Sequence, residues 1–211
     1  MEPKFTISDV FQTSWKCTKA QIWVLVGLLI GFTIISMIIS LFAMPMQSSV
    51  IGQIIVFIIN LFITGIFMLG YVKNLFQALD GEEPQFSAYG QQSRKIITYI
   101  IANLIYGIIV AIGCIFLIIP GIYLAIRLQY YIAFIVEEDA GIIDSLKQSW
   151  ALTQGQTMQL FLLGLAMIGI AIVGFILFVV GVFVAAPVIY MMYCYAFRKL
   201  NTVKIGEPEE I

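Results

Sequence analysis

The chain has 211 residues, 61% hydrophobic and 11% charged, with a net charge of −1. A soluble domain averages about 45–50% apolar, so this composition excludes both a soluble domain and a disordered chain. There is no histidine, which removes histidine-based acid–base catalysis, serine–histidine triads and histidine-ligated metal sites; the balanced charge excludes a basic nucleic-acid surface.

In chain order, the first apolar stretch is Ile22–Ala43. It is too long for a signal-peptide core and no small-residue cleavage site follows it, so it reads as a transmembrane helix. Val50–Val72 is the second, after a turn at Met44–Ser49. Ile96–Val136 is broken by Pro120-Gly121, and Met158–Phe197 is interrupted near Gly181 and Pro187. Each of these is about twice the ~20 residues of one span. The expectation is an all-α membrane protein of six transmembrane helices in three hairpins, the third turning somewhere in Phe178–Pro187.

The charges sort by side. Lys4, Lys16, Lys19, Lys73, Arg94, Lys95, Lys147, Arg198, Lys199 and Lys204, with every acidic residue, fall outside the spans on one side. The three turns between paired spans carry none. By the positive-inside rule both termini are cytoplasmic, in an inner (cytoplasmic) membrane. Glu82-Glu83 and Glu137-Glu138-Asp139 read as solvated helix ends.

The segments before the hairpins repeat. Asp9-Val-Phe-Gln-Thr-Ser-Trp15 overlays Asp144-Ser-Leu-Lys-Gln-Ser-Trp150, and Ala88–Arg94 fits less well, keeping Gln91 and Ser93. As helices, the first two put Ile7, Val10, Phe11 and Trp15, and Ile142, Leu146 and Trp150, on one face. The expectation is a cytoplasmic amphipathic helix ahead of each hairpin, with Trp15 and Trp150 as interfacial anchors. The units run approximately over 5–80, 86–138 and 141–200, within one membrane domain over 1–205 and ahead of an acidic tail, 206–211.

Pro120-Gly-Ile-Tyr-Leu-Ala-Ile-Arg127, Ile135-Val-Glu-Glu-Asp139 and the run Asp144–Gly155 resemble a group of bacterial multi-pass proteins. These are similar to the membrane domain joined to some glycerophosphoryl diester phosphodiesterases, and to small stand-alone relatives. The resemblance implies the membrane fold only. The phosphodiesterase chemistry belongs to a separate, histidine-bearing soluble domain, so no catalytic residue is carried over and no enzyme is expected.

Arg127 is the sharpest single residue. It lies in the fourth span, about 9 Å past Gly121 at 1.5 Å per residue. A charge there costs about 2.5–3.5 kcal/mol on insertion scales. Two readings stand: the guanidinium binds carbonyls, Gln129 or Tyr130 inside the bundle, or it contacts a lipid or substrate phosphate, reaching toward the outer leaflet. Gln53, Asn60 and Asn103 are the other polar residues in spans. They suit hydrogen bonds between helices or a polar path. Cys17, Cys114 and Cys194 have no disulfide or metal spacing. The expected function is a non-enzymatic membrane protein that binds lipid or supports a membrane partner, without cofactor or metal. The alternative is a small transporter or permease subunit with Arg127 near the substrate path.

Overall fold

A computed structural model describes residues 4–206; residues 207–211, most of the expected tail, lie outside the described residues. Ten α-helices and two 3-10 turns form the described part, with no strand among the described residues. The helices are α1 (Ile7–Ala20), α2 (Ile22–Ala43), α3 (Val50–Leu79), α4 (Ser87–Gln92), α5 (Ile96–Phe116), α6 (Ile118–Leu128), α7 (Tyr131–Glu138), α8 (Ile142–Leu152), α9 (Thr157–Ile176) and α10 (Phe178–Gly206). Among the described residues six helical segments are long and apolar enough to cross a membrane: Ile22–Met46, Val50–Leu79, Ser87–Phe116, Ile118–Glu138, Thr157–Ile176 and Val180–Thr202. This is the fold of a multi-pass membrane protein.

The turns refine the sequence expectation. The first is a 3-10 turn, Met44–Ser48, after which the Ser49 hydroxyl accepts the Gly52 N–H at 3.0 Å. The second falls at Leu117, which is extended, and Pro120-Gly121 begin α6 instead. A proline in the first helical turn lacks only an N–H that has no partner there. Gly121 is needed because a Cβ would strike the Cys114 sulfur on α5. The third turn is Leu177–Phe178, at the first residue of the expected window Phe178–Pro187, with Phe178 at φ 61°. Gly181 lies inside α10, where an added Cβ would hit the α9 backbone, so it serves helix packing. The fourth span is not one helix: α6 and α7 part at Gln129–Tyr130.

Packing closes the chain into a ring. Helix α4 lies against α3, and α8 lies against α5, α6 and α7. Helix α1 lies against α9 and α10. The segment ahead of α1 joins the same contact. Lys4 N–H donates to Gln156 Oε1 at 3.2 Å, and Gln159 Nε2 donates to the Phe5 carbonyl at 2.9 Å.

Helix α1 meets the rest of the protein through its small side chains. Val10, Ser14 and Thr18 are fully buried, while Phe11 and Trp15 stay about two-fifths exposed. Small side chains let helices approach closely, and large aromatics face outward at little cost where the surroundings are apolar. Helix α8 does the same, burying Ser145, Leu146 and Ser149 and exposing Trp150. Helix α4 is only six residues long and leads through a 3-10 turn into α5.

One expected solvated end is instead a joint. Glu137 is 16% exposed and accepts from Lys73 at 2.9 Å and Arg198 at 2.8 Å. Arg198 also reaches Asp80 at 2.6 Å and lies over the Phe76 ring. Glu138 accepts from Asn201 at 2.7 Å. Lys95 pairs with Asp139 and donates to the carbonyls of Ile135 and Val136 at 3.0 Å. The ends of α3, α7 and α10 and the start of α5 are thereby tied together.

Candidate functional site

Arg127 ends α6, and its side chain is almost wholly enclosed, at 4% exposure. The guanidinium carbon lies 4.1 Å from the centre of the Trp150 ring and 5.8 Å from that of Tyr123. The two rings meet edge to face at 6.0 Å. Both remain partly exposed, so they form the outer wall of the site. Arg127 Nε has no hydrogen-bond partner, and no carboxylate pairs with the guanidinium among the described residues. A cation over an aromatic face gains up to about 2 kcal/mol when desolvated. That leaves the Nε donor of Arg127, which lies in the guanidinium plane, unused.

The break between α6 and α7 holds the site in place. It frees the Arg127 carbonyl and the Tyr130 N–H from helical bonding, and α8 supplies partners for both. Ser149 Oγ and Thr153 Oγ1 each donate to the Arg127 carbonyl at 3.0 Å, and the Tyr130 N–H donates to Ser149 Oγ at 3.0 Å. All three residues are buried. Trp150 follows Ser149 directly, so the clasp that fixes the backbone of Arg127 also sets the ring under its side chain. Ser149 and Thr153 were not singled out as site residues from sequence. Their signal is that the overlay of 9–15 on 144–150, continued three residues, pairs Ser14 with Ser149 and Thr18 with Thr153.

The other expected site residues scatter. Tyr130 packs in the core against Tyr193 and Phe197, with ring centres 5.0 and 5.7 Å away. Gln129 offers its backbone carbonyl to Tyr193 Oη at 2.9 Å. Asn103 Oδ1 accepts from Tyr131 Oη at 2.6 Å, joining α5 to α7. Asn60 Nδ2 donates to the Val56 carbonyl of its own helix at 2.9 Å, and Gln53 stands exposed in the first turn of α3. Neither is brought to Arg127. Trp15 lies against α9 and α10. Of the cysteines, Cys17 is half-buried and burial pushes its thiol up, partly opposed by Lys16; Cys114 is exposed and Cys194 buried. No cluster of metal-ligating side chains occurs among the described residues.

A family model described as a domain of unknown function, DUF7847, matches residues 85–205. That is more than half of the chain, from just before α4 to the end of α10. The chain belongs to the DUF7847 family. The DUF7847 match contains Arg127, Tyr123, Trp150 and both clasp residues, and leaves α1, α2 and α3 outside it. Comparison with curated proteins and with solved structures returns no match.

Proposed function

We propose that this DUF7847 member is a non-catalytic inner-membrane protein that holds a phosphate-bearing lipid at Arg127. One observation carries the reading: a nearly buried guanidinium whose Nε has no partner and whose charge faces no carboxylate. A buried cation without its anion is costly, and a phosphate satisfies it with a bidentate pair of short N–H···O bonds. The anion enters past Tyr123 and Trp150, the two exposed rings of the site. Tryptophan and arginine together suit the headgroup layer, where one is half-wet and the other finds phosphate. In this reading the site opens toward the cytoplasmic boundary, since α8, packed against α6, carries Lys147 and Gln148.

The rest of the reading follows from that boundary. Both termini lie in the cytoplasm, α1 and α8 lie along the inner interface, and Trp15 and Trp150 anchor them. The units are parallel repeats. In support, Pro120-Gly-Ile-Tyr123 and Pro187-Val-Ile-Tyr190 share a pattern. In that register Cys194 stands at the place of Arg127, and α1 meets α10 as α8 meets α6. Kinship with the glycerophosphoryl diester phosphodiesterase membrane domain belongs to the same proposal.

The test is native mass spectrometry of protein drawn directly from membrane into nanodiscs, wild type beside Arg127→Ala. The expected result is a defined phospholipid retained by wild type and lost from the variant. A stoichiometric protein partner without lipid would instead make the chain an accessory subunit and reduce Arg127 to a structural residue.

A further inference from the structure

Two apolar grooves flank the first half of α10. One, of about 770 Å³, lies between α9 and α10 and is closed at one end by Phe11 and Trp15 of α1. The other, of about 490 Å³, lies between α2 and α10 and begins at Ile22 and Trp23. Val180 and Val184 line both, so α10 is the ridge between them. Along α9 the first groove runs from Ala166 to Leu177, roughly 16 Å; along α2 the second runs from Ile22 to Ile34, roughly 18 Å. One leaflet of hydrocarbon is about 15 Å deep. Each groove therefore has the length of one acyl chain.

The first groove meets α1 at Phe11 and Trp15, and the second begins at Ile22 and Trp23, just past the α1–α2 junction. Lys19 lies one turn beyond Trp15 on the same side of α1 and three residues before Ile22, so it falls between the two mouths. Lys16 is its neighbour. Both are exposed, and neither has an ion pair among the described residues. We infer that one diacyl phospholipid with an anionic headgroup sits astride α10, a chain in each groove and its phosphate beside Lys16 and Lys19. This site is separate from Arg127 and stands without it. The ridge shared by the grooves is what calls for one two-chain lipid rather than two unrelated ones.

The test uses tryptophan fluorescence quenched by bromine-labelled lipid chains. Two single-tryptophan proteins keep either Trp15 (Trp23→Phe, Trp150→Phe) or Trp23 (Trp15→Phe, Trp150→Phe), in vesicles of phosphatidylcholine with added dibrominated phosphatidylglycerol or dibrominated phosphatidylcholine. Both reporters are expected to prefer the glycerol lipid several-fold, and Lys19→Gln to lower that preference about fivefold, the weight of one cation beside an anionic surface. Gly169→Leu fills the first groove, where an added Cβ meets open space. It is expected to abolish the preference at Trp23, in the other groove, as well as at Trp15. Gly164→Leu, also with open space around its Cβ but outside the groove, is expected to change neither. Arg127→Ala is expected to leave both reporters as in wild type. Equal quenching by the two lipids, an unchanged Trp23 signal in Gly169→Leu, or an equal loss in Gly164→Leu would each overturn the inference.

Discussion

At Arg127 charge and shape act together. Its planar fork lies over the Trp150 ring, a geometry that an ammonium does not reproduce. Arg127→Lys is therefore expected to lose lipid retention nearly as fully as Arg127→Ala, read as the fraction of lipid-bound protein in native mass spectra. The hydroxyls beneath it carry stability. Ser149→Ala with Thr153→Val strips the Arg127 carbonyl and the Tyr130 N–H of their α8 partners, and buried groups left unpaired cost about 1–3 kcal/mol. Unfolding in mixed detergent and dodecyl sulfate should show that loss. The same positions in α1, Ser14 and Thr18, are buried with unpartnered hydroxyls. Helix α10 has no break beside them like the one between α6 and α7. Sequence marks Arg127 as a charge in a span but not what it faces, because its ring partner lies 23 positions away on another helix.

Within single elements, glycines of α9 separate two roles that composition merges. A Cβ at Gly174 would lie 2.6 Å from Ala185 Cβ and 3.0 Å from the Gly181 carbonyl, whereas one at Gly169 meets nothing. Gly174→Ala is expected to destabilise by about 1–3 kcal/mol through overpacking. Gly169→Ala should be neutral or slightly stabilising, since alanine favours the helix. Thermal unfolding in detergent distinguishes them. The six apolar segments and the first turn are legible in sequence because hydropathy and length decide them. The second is displaced to Leu117, and the third falls at the first residue of a window ten residues wide. Pro120, Gly121, Gly181 and Pro187 look like breakers, yet they sit inside helices whose neighbours need the space or tolerate a missing N–H. Nor does sequence show which side of α1 meets the protein. In an apolar medium the largest hydrophobic side chains need not be the inward ones.

Across the whole molecule, one end carries the charged joint and the ring closure. Glu137 bridges Lys73 of α3 and Arg198 of α10, which is a contact among three elements. Glu137→Gln removes the anion and leaves two cations facing a neutral amide. The expected cost is about 1–3 kcal/mol, below that of a fully buried pair because Lys73 and Arg198 are about a third exposed. The same unfolding measurement reads it, and Glu138→Gln, whose partner is a neutral amide at the surface, serves as the mild comparison. Charge placement in sequence foretells that these residues share a side; it does not foretell that they touch.

The seat of α1 on α9 and α10 has a consequence for biogenesis. Helix α1 is made before α9 and α10, and most of its packing forms only once that hairpin has entered the membrane. Until then α1 has only its slighter contacts with α2 and α3, and Lys4 and Phe5 lack Gln156 and Gln159. Contacts between the ends of a chain form late, and incomplete chains expose what those contacts will hide. A nascent protein stalled after α8 thus displays an uncovered surface near its N-terminus, a signal by which cellular proteolysis can tell unfinished copies from finished ones.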